Sequence, residues 1–253
     1  MSNIKNKLFL VALHVKSLEQ AMEEAEKILT PKGAHGVILV NNEVDNNRFI
    51  KSNDEYPSLF DVVSMLKAKV KKAGKPYLVG VNPLDLKTVE ETFDELFQFI
   101  ETTGEWPDII WTDESGIKEI GDEVFFPEHL VLDLEVMESK FYGSVAFKYK
   151  SHENNIDEVA RVATKHFHTV VTSGPGTGQP ADIEKIRRIS DIVGVEKTGL
   201  ASGTSVENLK DYWPFVNTFI VGTSLLVDPN DQFVYDQKKV EAFRKKFDEL
   251  SIQ

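Results

Sequence analysis

Eight short apolar runs recur along this chain, each separated from the next by a longer amphipathic or polar stretch. They are Leu8–Leu13, Gly36–Val40, Pro76–Val81, Asp108–Thr112, Phe141–Phe147, Thr169–Thr172, Val195–Leu200 and Thr218–Val221. Runs of this length without a polar alternation read as strands buried on both faces, as in a parallel sheet covered by helices. The intervening stretches have helical periodicity: Leu18–Leu29 behind a capping Ser17, Leu59–Lys72, Lys87–Thr102, Asp157–His166, Asp182–Val193, Val206–Tyr212 and Asp236–Leu250. Only Gly116–Glu138 breaks the rhythm, and mixed periodicity there predicts no more than short helical turns.

Strand–helix alternation gives either a closed barrel or an open doubly wound sheet. The count of eight, in a chain of 253 residues, favours the α/β class with a parallel eight-stranded (β/α)8 TIM barrel, formed as one domain over residues 1–253. A Rossmann or flavodoxin-like sheet is the competing topology. Against it, the first strand runs into His14-Val-Lys-Ser17 and not into a glycine turn.

Composition narrows the function classes. The chain has no cysteine, which removes disulfides, thiolate catalysis and cysteine metal sites. A net charge of −12 repels nucleic acid and anionic membranes, while leaving room for a local basic pocket. The run Leu8–Leu13 is too short for a signal-peptide core or a membrane span. The expectation is a cytoplasmic protein with a small anionic, phosphorylated ligand, no nucleic-acid partner and no membrane insertion. A homodimer through exposed barrel helices stays open.

Barrels of this kind place working residues at the C-terminal strand ends and in the loops that follow. That rule selects His14, then Asn42, Glu43 and Asp45, then Asn82 and Asp85, then Asp113 and Glu114, then Lys148. The last three strands run into glycine- and hydroxyl-rich loops. These contain Ser173, Gly174, Gly176, Thr177 and Gly178, then Ser202, Gly203 and Thr204, then Gly222, Thr223 and Ser224. Glycine admits close backbone approach, and free N–H groups at helix starts favour an anion, so these loops are expected to bind phosphate. Tight turns and N-caps would use the same residue types.

Glu43 and Asp113, facing each other across a barrel mouth, suit acid and base roles or a divalent cation. A solvated acidic rim is the bland alternative. Lys148 can pair with phosphate, form a Schiff base or move a proton. No histidine pair has metal-ligand spacing, so no metal site is assigned. His166 and His168 flank the start of the sixth strand, on the opposite end of the barrel, and Trp106, Trp111 and Trp213 read as packing residues.

The three late segments Val170–Pro180, Gly199–Asn208 and Phe219–Ser224 together resemble the BtpA (SgcQ-like) family. That family has a Thr-Gly-x-x-Thr-Gly loop, then Gly-Ser-Gly-Val-Thr-x-Glu-Asn, then Ile-Val-Gly-Thr/Ser. The tail Val234–Val240, the pair Asn42-Glu43, the run Gly80–Asn82 and Lys148 are also similar to family positions. Two positions depart: the family's early His-Leu-x-x-Leu-Pro-Gly loop is reduced to His14–Ser17, and its Arg-Val-Asn becomes Trp111–Asp113. The resemblance implies a barrel, with members linked to photosystem I biogenesis and others to sugar metabolism, and no defined reaction. Two hypotheses follow. One is an isomerase- or lyase-type enzyme on a phosphorylated sugar or nucleotide-like metabolite, with Lys148 and Glu43 or Asp113 moving protons. The other is a non-catalytic assembly or regulatory factor. The loop Thr172–Thr177 also faintly resembles the ribose-phosphate loop of phosphoribosyltransferases, without its preceding acidic pair.

Overall fold

The computed structural model describes residues 7–41, 58–84, 86, 88–148 and 155–252. Eight strands close into a barrel in the order β1-β10-β9-β8-β7-β4-β3-β2, every neighbouring pair parallel. They are β1 Leu8–Val15, β2 Gly36–Asn41, β3 Leu78–Asn82, β4 Ile109–Thr112, β7 Lys140–Ser144, β8 Thr169–Ser173, β9 Thr198–Ala201 and β10 Thr218–Val221. Closure excludes the open-sheet topology and bears out the TIM-barrel expectation.

Helices alternate with the strands: α1 Leu18–Ile28, α2 Leu59–Lys72, α3 Val89–Thr103, α5 Ile156–His166, α6 Ile183–Val193, α7 Leu209–Tyr212 and α8 Gln237–Ser251. Their starts follow local chemistry. Ser17 Oγ accepts from Gln20 N–H at 3.1 Å, and Ser58 with Asp61 and Thr88 with Glu91 form capping boxes.

The core has two compartments. Inside the ring, Leu10, Ile38, Ile109, Trp111, Tyr142, Val171, Ala201 and Ile220 meet, the inward residues of alternate strand positions. Outside it, odd-numbered β1 residues such as Phe9 pack on helices; Phe9 and Phe243 of α8 have centroids 4.4 Å apart.

Three expectations are corrected. Gly116–Glu138 holds an antiparallel hairpin, β5 Lys118–Ile120 with β6 Glu123–Phe125, followed by the nine-residue helix α4 Glu128–Val136. The fifth apolar run stops being a strand at Ser144, because Ala146 takes φ +50, outside any strand geometry. Val195–Lys197 is a 3-10 turn, so β9 begins only at Thr198.

Candidate functional site

The C-terminal ends of the strands surround a cavity of about 200 Å³. Period-two alternation carries inward residues up each strand to its mouth: Ala12 and His14 from β1, Val40 from β2, Asn82 from β3, Trp111 from β4 and Ile220 from β10. Loop residues complete the wall, namely Leu84, Asp113, Lys148, Thr177, Ser202, Gly222 and Thr223.

Lys148 lies four positions beyond the last residue of β7. The turn through Ala146 brings it back over the mouth, and its backbone N–H donates to Ser173 Oγ at 2.8 Å. Its ammonium then donates to Thr177 Oγ1 at 3.1 Å and to Ser202 Oγ at 3.2 Å. Three loops, after β7, β8 and β9, thus meet at one cation. Lys185 of α6 braces two of them from behind, donating to the carbonyls of Ala146, at 3.0 Å, and of Ser173. Nothing in its amphipathic surroundings marks that role in the sequence.

On the strands next to β7, Asn82 Nδ2 of β3 donates to Asp113 Oδ1 beyond β4 at 3.0 Å, which fixes the carboxylate at the cavity edge. Trp111 forms part of the floor. Its indole N–H donates to Ser144 Oγ at 2.9 Å, and its ring meets Phe147 edge-on at 5.8 Å. His14 stands on the opposite wall from Lys148. Burial first, and the Lys148 charge second, push its imidazole down from 6.5 to about 4. It is therefore neutral at neutral pH.

The glycine loops divide into lining and scaffold. Thr177, Ser202, Gly222 and Thr223 line the cavity. Ser173, Gly174, Gly176, Gly178, Gly203, Thr204 and Ser224 do not. Ser173 is engaged by Lys148, and Ser224 Oγ donates to Thr204 O at 2.7 Å, tying the loops after β9 and β10 together. Asn208 closes the β9 loop on itself, accepting from Ser205 N–H at 2.8 Å and donating to Gly203 O at 2.7 Å. Two of the three glycine loops lead into short helical turns, the four-residue α7 and the single 3-10 turn Thr223–Leu225, whereas the loop after β8 leads into the eleven-residue α6. A macrodipole sums over aligned peptides, so neither of the two short turns offers one of full strength.

Sequence reasoning missed the strap that follows. Leu226 and Tyr235 form an antiparallel bridge, and Val227 N–H donates to Val234 O at 3.0 Å. The turn Asp228-Pro-Asn-Asp231 between them is its only sequence signal. Through Leu226, Pro229 and Gln232 this strap lines the cavity near β10 and β1.

Asn42, Glu43, Asp45 and Asp85, expected at the mouth, lie outside the described residues. Among the described residues, no three His, Asp or Glu side chains gather as a metal site, and no helix is long and apolar enough to cross a membrane.

Residues 131–249 match the model of the BtpA family. This bears out, over that segment, the resemblance read from the late loops. An uncharacterized protein of Thermococcus kodakarensis is 31% identical over 110 residues, 43% of this chain and 41% of its own length. One of Methanocaldococcus jannaschii is 35% identical over 72 residues, 28% of this chain and 27% of its length. The matches thus span less than half of either relative.

By fold, the chain is similar to orotidine 5′-phosphate decarboxylase from Pyrococcus horikoshii, with TM-score 0.63 and 12% identity over 95% of this chain and 99% of that one. It is also similar to phosphoribosyl anthranilate isomerase from Thermus thermophilus, with TM-score 0.57 and 12% identity over 96% and 99%. A third likeness is the tryptophan synthase α-subunit from Pyrococcus furiosus, with TM-score 0.62 and 14% identity over 97% and 98%. At these identities the likeness is one of fold.

The segment matched by the family model supplies one side of the cavity: Lys148, Thr177, Ser202, Gly222, Thr223 and the strap. The other side, His14, Asn82, Trp111 and Asp113, lies before the matched residues. Those positions include the two where the sequence departs from the family pattern.

Proposed function

We propose that this protein is an enzyme acting on a small phosphorylated sugar or nucleotide-like metabolite, by isomerase- or lyase-type chemistry. One observation carries the reading: the Lys148 ammonium stands between Thr177 Oγ1 and Ser202 Oγ at the edge of the barrel cavity. An ammonium and two hydroxyls are hydrogen-bond donors matched to the oxygens of a phosphate monoester. The wider surface carries net charge −12, so selectivity for an anion has to come from this local cluster. Similarity in fold to barrels whose names specify phosphorylated substrates supports the same class.

In this reading the phosphate rests on Lys148, Thr177, Ser202 and Thr223. The carbon chain lies over Trp111 and Ile220. Asp113, oriented by Asn82, takes a proton from carbon next to a carbonyl and returns it to a neighbouring atom.

Thermal unfolding with inorganic phosphate and with a series of sugar phosphates tests the binding step. A ligand at a hundredfold excess over Kd stabilises the fold by about 2.7 kcal/mol, a shift of several degrees for a domain of about this size. The wild type should gain that stability and Lys148→Met should not. The absence of any shift with every phosphate ester would sink the proposal.

A further inference from the structure

His14 is an odd residue for its place. The other inward positions of β1 are Leu8, Leu10 and Ala12, and its strand is paired on both sides. Its backbone is fully engaged: the N–H donates to the Tyr235 hydroxyl at 3.3 Å, and the carbonyl accepts from Gln20 Nε2 at 3.2 Å. Its side chain is not. The ring lines the cavity, while Nδ1 is shut off from solvent with no hydrogen-bond partner among the described residues. An unpaired buried polar atom costs about 1–3 kcal/mol. An apolar residue in this position would avoid that penalty, so the imidazole is retained at a disadvantage to the fold.

Its charge state limits what it can do. A protonated imidazole would need partners for two N–H groups, and one nitrogen has none here. Burial and the Lys148 ammonium oppose the proton further. At neutral pH the two sides of the cavity therefore differ. The side at β7–β9 offers a cation and hydroxyls, and the side at β1 offers a neutral ring that hydrogen-bonds without attracting charge.

We infer that His14 is the specificity residue for the uncharged end of the ligand, its other ring nitrogen, Nε2, hydrogen-bonding from the cavity wall to a hydroxyl or carbonyl oxygen of a phosphorylated polyol or sugar whose phosphate sits at Lys148. This inference rests on the anion reading of Lys148, Thr177 and Ser202. The occupant it selects is a short phosphate monoester bearing free oxygens. A bare phosphate or an alkyl phosphate would leave Nε2 without a ligand oxygen.

Calorimetric titration with methyl phosphate and with glycerol 3-phosphate separates the two ends, since the esters share the anion and differ in hydroxyls. The wild type should bind glycerol 3-phosphate about tenfold tighter, the worth of one neutral hydrogen bond. His14→Phe should keep the methyl phosphate affinity within about twofold and lose the preference, and His14→Asn should retain part of it. In the wild type, the His14 imidazole nitrogen resonances should move with glycerol 3-phosphate and stay still with methyl phosphate, a readout that needs no variant. A preference that survives in His14→Phe, or unmoved resonances, would overturn the inference. Equal binding of both esters by the wild type, abolished in Lys148→Met, would overturn it alone and leave the anion site standing. Binding of neither ester would overturn both.

Discussion

A Cβ placed on Gly203 would stand 2.0 Å from the carbonyl oxygen of Gln179, and one on Gly174 would stand 2.1 Å from the same atom. Two glycine loops, after β8 and β9, therefore close on a single carbonyl. Gly203 also takes φ +69, which L side chains rarely adopt. Its glycine is required by backbone packing between loops, whatever the cavity binds. Gly203→Ala should lose about 2–4 kcal/mol, from overpacking plus backbone strain. The loss should be the same with and without phosphate in urea melts. Gly222→Ala meets only Ala12, at 3.8 Å, and should lose far less while narrowing the cavity. Equal stability of the two variants would refute this division of the glycines into scaffold and lining.

The barrel interior holds a second short chain of dependence. Trp111 donates to Ser144 Oγ at 2.9 Å, and Ser144 donates onward to Thr112 O at 2.6 Å. Both side chains are buried. Ser144→Ala strands the indole N–H and the Thr112 carbonyl together, so it should lose about 1–3 kcal/mol. Chemical denaturation followed by tryptophan emission measures this. A variant as stable as the wild type would mean that other groups satisfy both atoms.

The pH dependence follows from His14. Its folded pKa, about 4, lies below the ordinary 6.5. Between those values the unfolded chain binds a proton that the folded chain refuses, so stability falls as pH falls through that window. The full effect is on the order of 3 kcal/mol. His35, His166 and His168 are also held below their ordinary values, chiefly by burial, and act in the same direction. Acid melts of His14→Phe should show a shallower decline from pH 6.5 to 4 than the wild type. A slope unchanged by the substitution would remove His14 from the account.

Much of the architecture was legible because parallel barrel strands are buried on both faces. Each then reads as a continuous apolar run, and the helices between them keep amphipathic stripes and ordinary caps. Legibility failed where that rule fails. Val145, Ala146 and Phe147 are buried and apolar, so they extend the fifth run, yet the φ of Ala146 ends the strand before them. In α4, Leu130 is buried while Leu132 and Val136 are exposed, so no stripe betrays a helix. The mouth was legible by position, since His14, Asn82, Asp113, Lys148, Thr177, Ser202, Gly222 and Thr223 all line the cavity. What sequence could not separate was which loop residues face the cavity and which hold the loops. Ser173, Gly174, Gly203 and Ser224 have the composition of ligand-binding residues and are engaged by the protein itself. Trp111 has the converse disguise: an interior strand residue by pattern, and part of the cavity floor by height along β4.

The strap over β1 depends on Tyr235. The Tyr235 hydroxyl donates to Ala12 O and accepts from His14 N–H at 3.3 Å, so it holds the strap to the strand that carries His14. Its own backbone N–H donates to the buried Glu24 carboxylate at 2.9 Å, which anchors the same residue to α1. Burial pushes the phenol above its ordinary range, so it stays protonated and able to donate. Tyr235→Phe keeps the ring and leaves one carbonyl and one N–H of β1 without that hydroxyl. It should lose about 1–3 kcal/mol. Because this residue ties the strap to both β1 and α1, the loss should also appear locally. Limited proteolysis should cut the Asp228–Asp231 turn faster in Tyr235→Phe than in the wild type under native conditions. The affinity for glycerol 3-phosphate should fall with it, since Leu226, Pro229 and Gln232 lose their fixed place in the wall. Cleavage at the wild-type rate, together with unchanged affinity, would mean that the strap is held by other contacts, such as Gln20 Nε2 to Phe233 O at 2.9 Å, and not by Tyr235.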